Sequence, residues 1–165
     1  MSDQSQYYFV QIWLPSLEKP LTFPLAEAAW GRFKRSFSEG KEGFFVFATR
    51  DGRTLALDLK SVQLARIWIA EEEGPMHDNA GSKVTLYLAS GAEETFEAKN
   101  PVDLAGIFTK LKVGAEGEVL SFTDPTGKQV YFAVGGLTLL EATTDFVEEG
   151  YKQIYFRERG KLPPK

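Results

Sequence analysis

The sequence predicts an α+β fold of two tandem ββαβββ-type units, with mainly antiparallel sheets, one helix in each unit and a C-terminal helix or strand. Short runs of β-branched and aromatic residues alternate with two amphipathic segments. Asp-Gly and Pro-Thr-Gly turns separate pairs of these runs. The same order of elements recurs after about 75 residues. Hydrophobic residues make up 43% of the chain, which is enough for a packed core.

The first unit begins with a predicted strand over residues 7–14, which ends at Pro15. A short extended piece follows over residues 21–23, and Pro24 suits the first turn of a helix. The next apolar residues recur at helical spacing and predict a helix over residues 26–37. These residues are Ala26, Ala29, Trp30, Phe33 and Phe37.

A hairpin is predicted after this helix. Residues 44–48 are apolar at every position, which predicts a strand buried on both faces. Asp51-Gly52 is a strong hairpin signal because both residue types tolerate a positive φ. The return strand spans residues 54–59, and a third strand follows over residues 62–69.

The second unit repeats this order. A strand over residues 84–88 and an extended piece over residues 95–98 precede a helix that starts at Asn100-Pro101, a favourable cap and first-turn pair. A hairpin over residues 119–134 and a strand over residues 137–142 complete the unit.

The repeat predicts four segments: a first unit (1–72), a linker (73–82), a second unit (83–143) and a C-terminal element with its tail (144–165). Matching identities at the offset are few, for example Phe33 with Phe108. One continuous α+β domain without duplication therefore stays open as the alternative.

The C-terminal element is predicted as a helix or a strand. Acidic residues come early and basic residues late over residues 145–159, which favours a helix through its macrodipole. Residues 151–156 would also suit a strand, and Gly150 lies inside the segment.

Composition favours a soluble cytoplasmic protein. The chain has no cysteine, so it holds no disulfide and no thiolate metal site. Residues 1–6 are polar, and we expect no signal peptide. No apolar run approaches the roughly 18 residues that span a bilayer, so we expect no membrane association.

The charge distribution disfavours binding of duplex nucleic acid. The net charge is −4, and each half, divided after Ala80, carries two more acidic than basic residues. Binding to duplex phosphates normally requires a basic face.

No catalytic constellation stands out, and we expect no catalytic residue, cofactor or metal. The single histidine, His77, precedes Asp78 in the predicted linker, where a solvated side chain is expected. The acidic runs around Glu72, Glu93 and Glu148 have no spacing typical of a calcium loop. Gly135-Gly136 lacks the residues of a phosphate-binding loop.

Five basic residues are the candidate binding site: Arg32, Lys34 and Arg35 on the first helix, and Lys110 and Lys112 on the second. If the units pack about an approximate twofold axis, these bases share one groove between them.

The sequence thus favours a non-catalytic protein-interaction or regulatory module with a protein partner bound near the seam between the halves. Two alternatives stay open: a protein that binds single-stranded nucleic acid through the basic helix and its aromatic rings, and an enzyme using carboxylate or Tyr/Lys residues in a cleft. The oligomeric state is left open.

Overall fold

The computed structural model describes residues 6–72, 74 and 81–159. Within these ranges the chain forms ten strands and three helices, and all strand pairs are antiparallel. The predicted α+β class is therefore confirmed.

The first half contains β1 (Tyr7–Trp13), β2 (Leu21–Leu25), α1 (Glu27–Ser38), β3 (Phe44–Ala48), β4 (Arg53–Asp58) and β5 (Leu64–Ala70). A 3-10 turn over Leu59–Ser61 connects β4 to β5. The Asp51-Gly52 hairpin is present, with Gly52 at φ 82, a conformation that favours glycine.

The second half contains β6 (Lys83–Leu88), β7 (Glu93–Glu97), α2 (Pro101–Val113), β8 (Val119–Thr123), β9 (Gln129–Ala133), β10 (Leu137–Thr143) and α3 (Thr144–Arg159). The side chain of Asn100 caps α2 by accepting a hydrogen bond from the Val102 N–H at 2.9 Å. The C-terminal element is a helix, α3.

Gly150, which disfavours a helix by propensity, has a packing reason to lie in α3. A Cβ atom at this position would come within 2.1 Å of the Pro101 carbonyl oxygen at the start of α2. Glycine therefore lets α3 approach α2 closely, and this contact outweighs its low helix propensity.

Strand pairing follows the same register in both halves. Val10 lies opposite Phe23 in β2 and Ile67 in β5. Val84, at the corresponding position, lies opposite Phe96 in β7 and Ala142 in β10.

The hairpins correspond in the same way. Phe47 lies opposite Leu55, and Phe122 lies opposite Val130. This correspondence describes the structure; an origin by internal duplication, and the segment boundaries derived from it, stay predictions.

One strand pair joins the two halves. The sheets have the orders β2-β1-β5, β3-β4-β10-β6-β7 and β8-β9. β4 of the first half pairs with β10 of the second, with Ala56 opposite Leu140. We call this junction the seam. It places strands of both halves in one five-stranded sheet.

One hydrophobic core lies on each face of this sheet. The first core joins α1 to the three-stranded sheet and includes Val10, Ile12, Phe23, Phe33, Phe47, Leu55 and Leu57. The second core joins α2, α3 and the β8–β9 hairpin and includes Val84, Leu86, Leu104, Phe108, Phe122 and Leu140. β4 faces both cores, because Leu55 contacts the first and Ala56 the second.

The expectation that residues 44–48 are buried on both faces is wrong. β3 is an outer strand of the five-stranded sheet, and of its residues only Phe47 is fully buried. The apolar character of β3 is therefore explained by its contacts with two helices, α1 and α2, and not by a central position in the sheet.

Candidate binding surfaces

The three predicted basic residues of α1, Arg32, Lys34 and Arg35, are all exposed. The Lys34 Nζ lies 5.3 Å from the centre of the Trp30 ring, and the Arg32 guanidinium carbon lies 5.3 Å from that of Phe45. Such cation–aromatic contacts contribute about 0.5–1 kcal/mol at exposed sites. They hold two of the three cations at defined places on the surface.

The Trp30 ring beneath Lys34 is anchored to β1. The Trp30 Nε1 donates a hydrogen bond to the Phe9 carbonyl oxygen at 3.2 Å, and its ring centre lies 5.1 Å from that of Tyr8. A third cation, Arg50, lies 4.6 Å above the Tyr7 ring. We call these contacts the cation–aromatic face, formed by Tyr7, Trp30, Arg32, Lys34, Phe45 and Arg50.

The predicted bases of α2, Lys110 and Lys112, are exposed but lie elsewhere. Lys110 lines a shallow cavity of about 290 Å³ between α2 and β8, together with Asp103 and Ser121. α1 packs into the first core and α2 into the second, on opposite faces of the five-stranded sheet. The expectation of one groove shared by the two basic sets is therefore wrong, because the sheet separates them. Binding by either set stays a prediction.

The seam holds a buried charged cluster that the sequence did not indicate. The Arg53 guanidinium donates to both carboxylate oxygens of Asp51, from Nε at 3.0 Å and from Nη2 at 2.8 Å. Its Nη1 donates to Glu141 at 3.3 Å, and the Thr49 hydroxyl donates to Asp51. The Arg53 side chain is only 9% exposed.

This cluster has a structural role. Arg53 of β4 bonds across the seam to Glu141 of β10 and also lies 4.9 Å above the Phe23 ring. Burial raises the pKa of nearby Tyr87, Glu141 raises it further, and Arg53 lowers it. Alternation along β4 puts Arg53 on the same face as Leu55, and this is the sequence signal that could have indicated its burial. The seam is thus filled by buried side chains.

The four outer strands of the two larger sheets differ in how their edges are protected. β2 carries Pro24, and β7 carries Glu93, Glu94 and Glu97. Proline and charge are the usual devices that prevent a further strand from pairing. β3 contacts both α1 and α2. β5 has no proline and carries a single charged residue, Arg66, whose guanidinium lies over the Trp68 ring.

β5 exposes apolar side chains along its free edge. Leu64 is 55% exposed and Ile69 is 49% exposed. Trp68 stacks on Phe9 with ring centres 5.4 Å apart, and the Arg66 guanidinium carbon lies 5.2 Å from the Trp68 ring.

The β8–β9 hairpin is the second exposed apolar region of the sheets. Val119 is 62% exposed and Tyr131 is 63% exposed. Both lie on the face of the hairpin that points away from the second core, whereas Leu120 and Phe132 point into it.

The remaining predictions concern the histidine, metal binding and the membrane. His77 lies outside the described residues. In the described part of the chain, no group of three or more His, Cys, Asp or Glu residues is placed to hold a metal ion. Within the same ranges, none of the helices is long and apolar enough to cross a membrane. A second cavity, of about 450 Å³, lies along α3 and is lined by Lys152, Phe156 and Arg157, among others.

Comparison with known proteins identifies no relative. No family model, no curated protein and no solved structure matches this chain.

Proposed function

We propose that this chain is a non-catalytic, cytoplasmic protein-interaction module that binds a partner by adding a strand to the free edge of β5. The observation that carries the proposal is the outer edge of β5, with which no described strand pairs, together with the exposed side chains of Leu64 and Ile69. A free edge offers backbone hydrogen bonds, and side-chain pockets beside it supply specificity. The proposed binding surface is therefore the edge of β5 and not the seam between the halves, which the sequence favoured.

Backbone direction along β5 follows from the alternation of hydrogen bonds in antiparallel pairs. The Thr144 N–H donates to the Gly52 carbonyl, so Leu140 and Ala142 direct their backbone groups to β4. β5 pairs with β1 in the register that β10 uses with β6. The backbone groups of Ala65 and Ile67 therefore point to the free edge.

Pro24 gives an independent check of this alternation. The same reasoning directs the backbone of Pro24 in β2 away from β1, where its missing N–H costs no ladder hydrogen bond. Its carbonyl indeed accepts from the Arg50 N–H at 2.8 Å, outside the β1–β2 ladder.

Peptide selection with an edge-blocked variant tests the proposal. We expect displayed peptides with alternating apolar residues to bind the wild-type chain and to bind Ala65→Pro at least about tenfold more weakly, a loss of about 1.4 kcal/mol. Proline there removes an edge donor without breaking a β1–β5 hydrogen bond. Thr22→Pro, at the opposite edge of the same sheet, is the matched control. Equal binding of the selected peptides to Ala65→Pro would refute the proposal, provided that thermal unfolding shows both variants folded.

The cation–aromatic face favours a second candidate, binding of single-stranded nucleic acid. Cations over partly exposed rings combine phosphate attraction with a surface on which bases stack. The net charge of −4 opposes it.

Titration with oligo(dT) at two salt concentrations separates the candidates. Binding that weakens steeply with salt and is lost in Lys34→Glu/Arg35→Glu supports nucleic acid. The matched control is Lys110→Glu/Lys112→Glu, with the same charge change on the other side of the sheet. Equal loss in both variants would show a bulk charge effect and no site on α1.

A further inference from the structure

We infer that the free edge of β5 binds the β8–β9 hairpin of a second copy of this chain, with β5 paired to β9. This inference names the partner of the edge in the proposed function and rests on it. The chain itself provides the template, because β10 at the seam pairs with β4 of the other half.

The template gives a specific register. Leu140 lies opposite Ala56 and Leu139 opposite Leu57 at the seam. The corresponding residues of the other two strands, at the offset that relates the halves, put Ala65 opposite Tyr131 and Leu64 opposite Phe132.

The backbone groups match in this register. The Asp124 N–H donates to the Lys128 carbonyl within the β8–β9 hairpin, so alternation directs the backbone of Gln129 and Tyr131 outward. These free groups would face those of Ala65 and Ile67 on β5.

Corresponding residues are buried at the seam but exposed on β5 and β9. Leu139 and Ala56 are completely buried. Their counterparts Leu64 and Tyr131 are 55% and 63% exposed. Two exposed apolar side chains of these strands thus lie at positions that are buried at the seam.

The inferred pair, like the seam, places a large side chain opposite a small one, but the large residue is on the other strand. At the seam a large residue, Leu140, faces a small one, Ala56. In the inferred pair, the small Ala65 of β5 faces the large Tyr131 of β9. The summed volume across the pair is therefore conserved to first order, as close packing requires.

The charges are not conserved, and this difference sets the strength of association. Arg53 and Glu141 form the ion pair of the seam. Their counterparts, Lys128 and Arg66, are both basic. α3 also contacts β4 at the seam and has no counterpart among the described residues of the first half. We therefore expect weak self-association that increases with salt, because salt screens the repulsion.

The interface joins two different surfaces, so an open assembly leaves one β5 edge and one β9 edge free at its ends. Such head-to-tail contacts produce rings when the rotation closes and filaments when it does not. Two copies that bind reciprocally would form a closed dimer.

Cysteine pairing tests the register, and the native chain contains no cysteine to interfere. A mixture of Ala65→Cys and Tyr131→Cys chains should form a disulfide-linked heterodimer under mild oxidation, because opposite residues have Cα atoms about 5.5 Å apart. Ser121→Cys is the matched control, since Ser121 lies opposite Tyr131 on β8, one strand farther from β5. At about 10 Å from Ala65, it should not pair. Equal linkage of both partners would overturn the register.

A charge cycle tests the interface in solution by sedimentation equilibrium. Lys128→Glu should tighten self-association at least about tenfold by restoring an ion pair with Arg66, and Arg66→Glu should do the same with Lys128. The double variant should return to the wild-type level. A chain that stays monomeric up to millimolar concentration in all four forms would overturn the inference. Peptides selected on β5 would still bind in that case, so the proposed function would stand.

Discussion

The seam between β4 and β10 and the free edges of β5 and β9 are built from corresponding strands, yet they differ in almost every property. At the seam, Leu139 and Ala56 are buried, and Arg53 is held by two carboxylates. At the free edges, the corresponding Leu64, Tyr131 and Lys128 are exposed. A shared backbone plan therefore does not determine which edges pair; the side chains along them do.

The two hairpin turns show this difference on the smallest scale. The Thr49 Oγ1 accepts from the Arg53 N–H at 3.0 Å and bonds to Asp51. In the second turn, the Asp124 carboxylate accepts from the Lys128 N–H at 3.0 Å and from the Thr126 hydroxyl at 2.7 Å. Threonine and aspartate have exchanged positions, and the turn is preserved. Asp51, whose carboxylate anchors Arg53 in the first turn, is replaced by Thr126 at the corresponding position of the second turn.

The largest expected effect comes from removing Arg53. Arg53→Leu should lower the free energy of unfolding by about 3–5 kcal/mol, because Asp51 is left buried without its cation. Lys128→Leu, the corresponding change on the exposed turn, should cost less than about 0.5 kcal/mol. Urea denaturation of both variants measures the difference. Similar losses in the two would show that the ion pair does not stabilise the seam.

The next effect separates the two leucines that correspond on β10 and β5. Leu139→Ala should destabilise the chain by about 2–5 kcal/mol, because it leaves a cavity in the first core. Leu64→Ala should change stability by no more than about 0.5 kcal/mol in a dilute sample, because Leu64 is mostly exposed. A loss at Leu64 that grows with protein concentration would instead show that a second copy already covers it.

Local signals explain why the order of elements could be predicted. The Asp51-Gly52 turn, the Asn100 cap and the helical spacing around Phe33 each act within a few residues. These signals do not depend on contacts with distant parts of the chain.

The seam depends on distant residues, which is why it escaped prediction. β4 and β10 are about 85 residues apart, and no local pattern states that they pair. The same limit explains the error at β3, because an apolar run does not reveal whether a strand is central or covered by helices. It also explains why the prediction of a shared groove was wrong. Helical spacing predicts where the basic residues lie on each helix, but it does not predict that a sheet separates the two helices.

The smallest effect concerns Asp124 in the exposed turn. The Thr126 hydroxyl, which donates to the carboxylate, holds the pKa of Asp124 below its usual value. A depressed pKa means that the carboxylate contributes stability above the usual pKa of about 3.9 and that this contribution is lost as the pH falls through the lower folded value. Thr126→Val should raise the pKa of Asp124, whereas Thr126→Ser keeps the hydroxyl and should leave it low. Carbon-detected NMR titration of the carboxyl group measures both. An unchanged pKa in Thr126→Val would assign the depression to the backbone N–H donors of Thr126 and Lys128. The exchange of threonine and aspartate between the two turns would then have no effect on the pKa of Asp124 through the threonine hydroxyl.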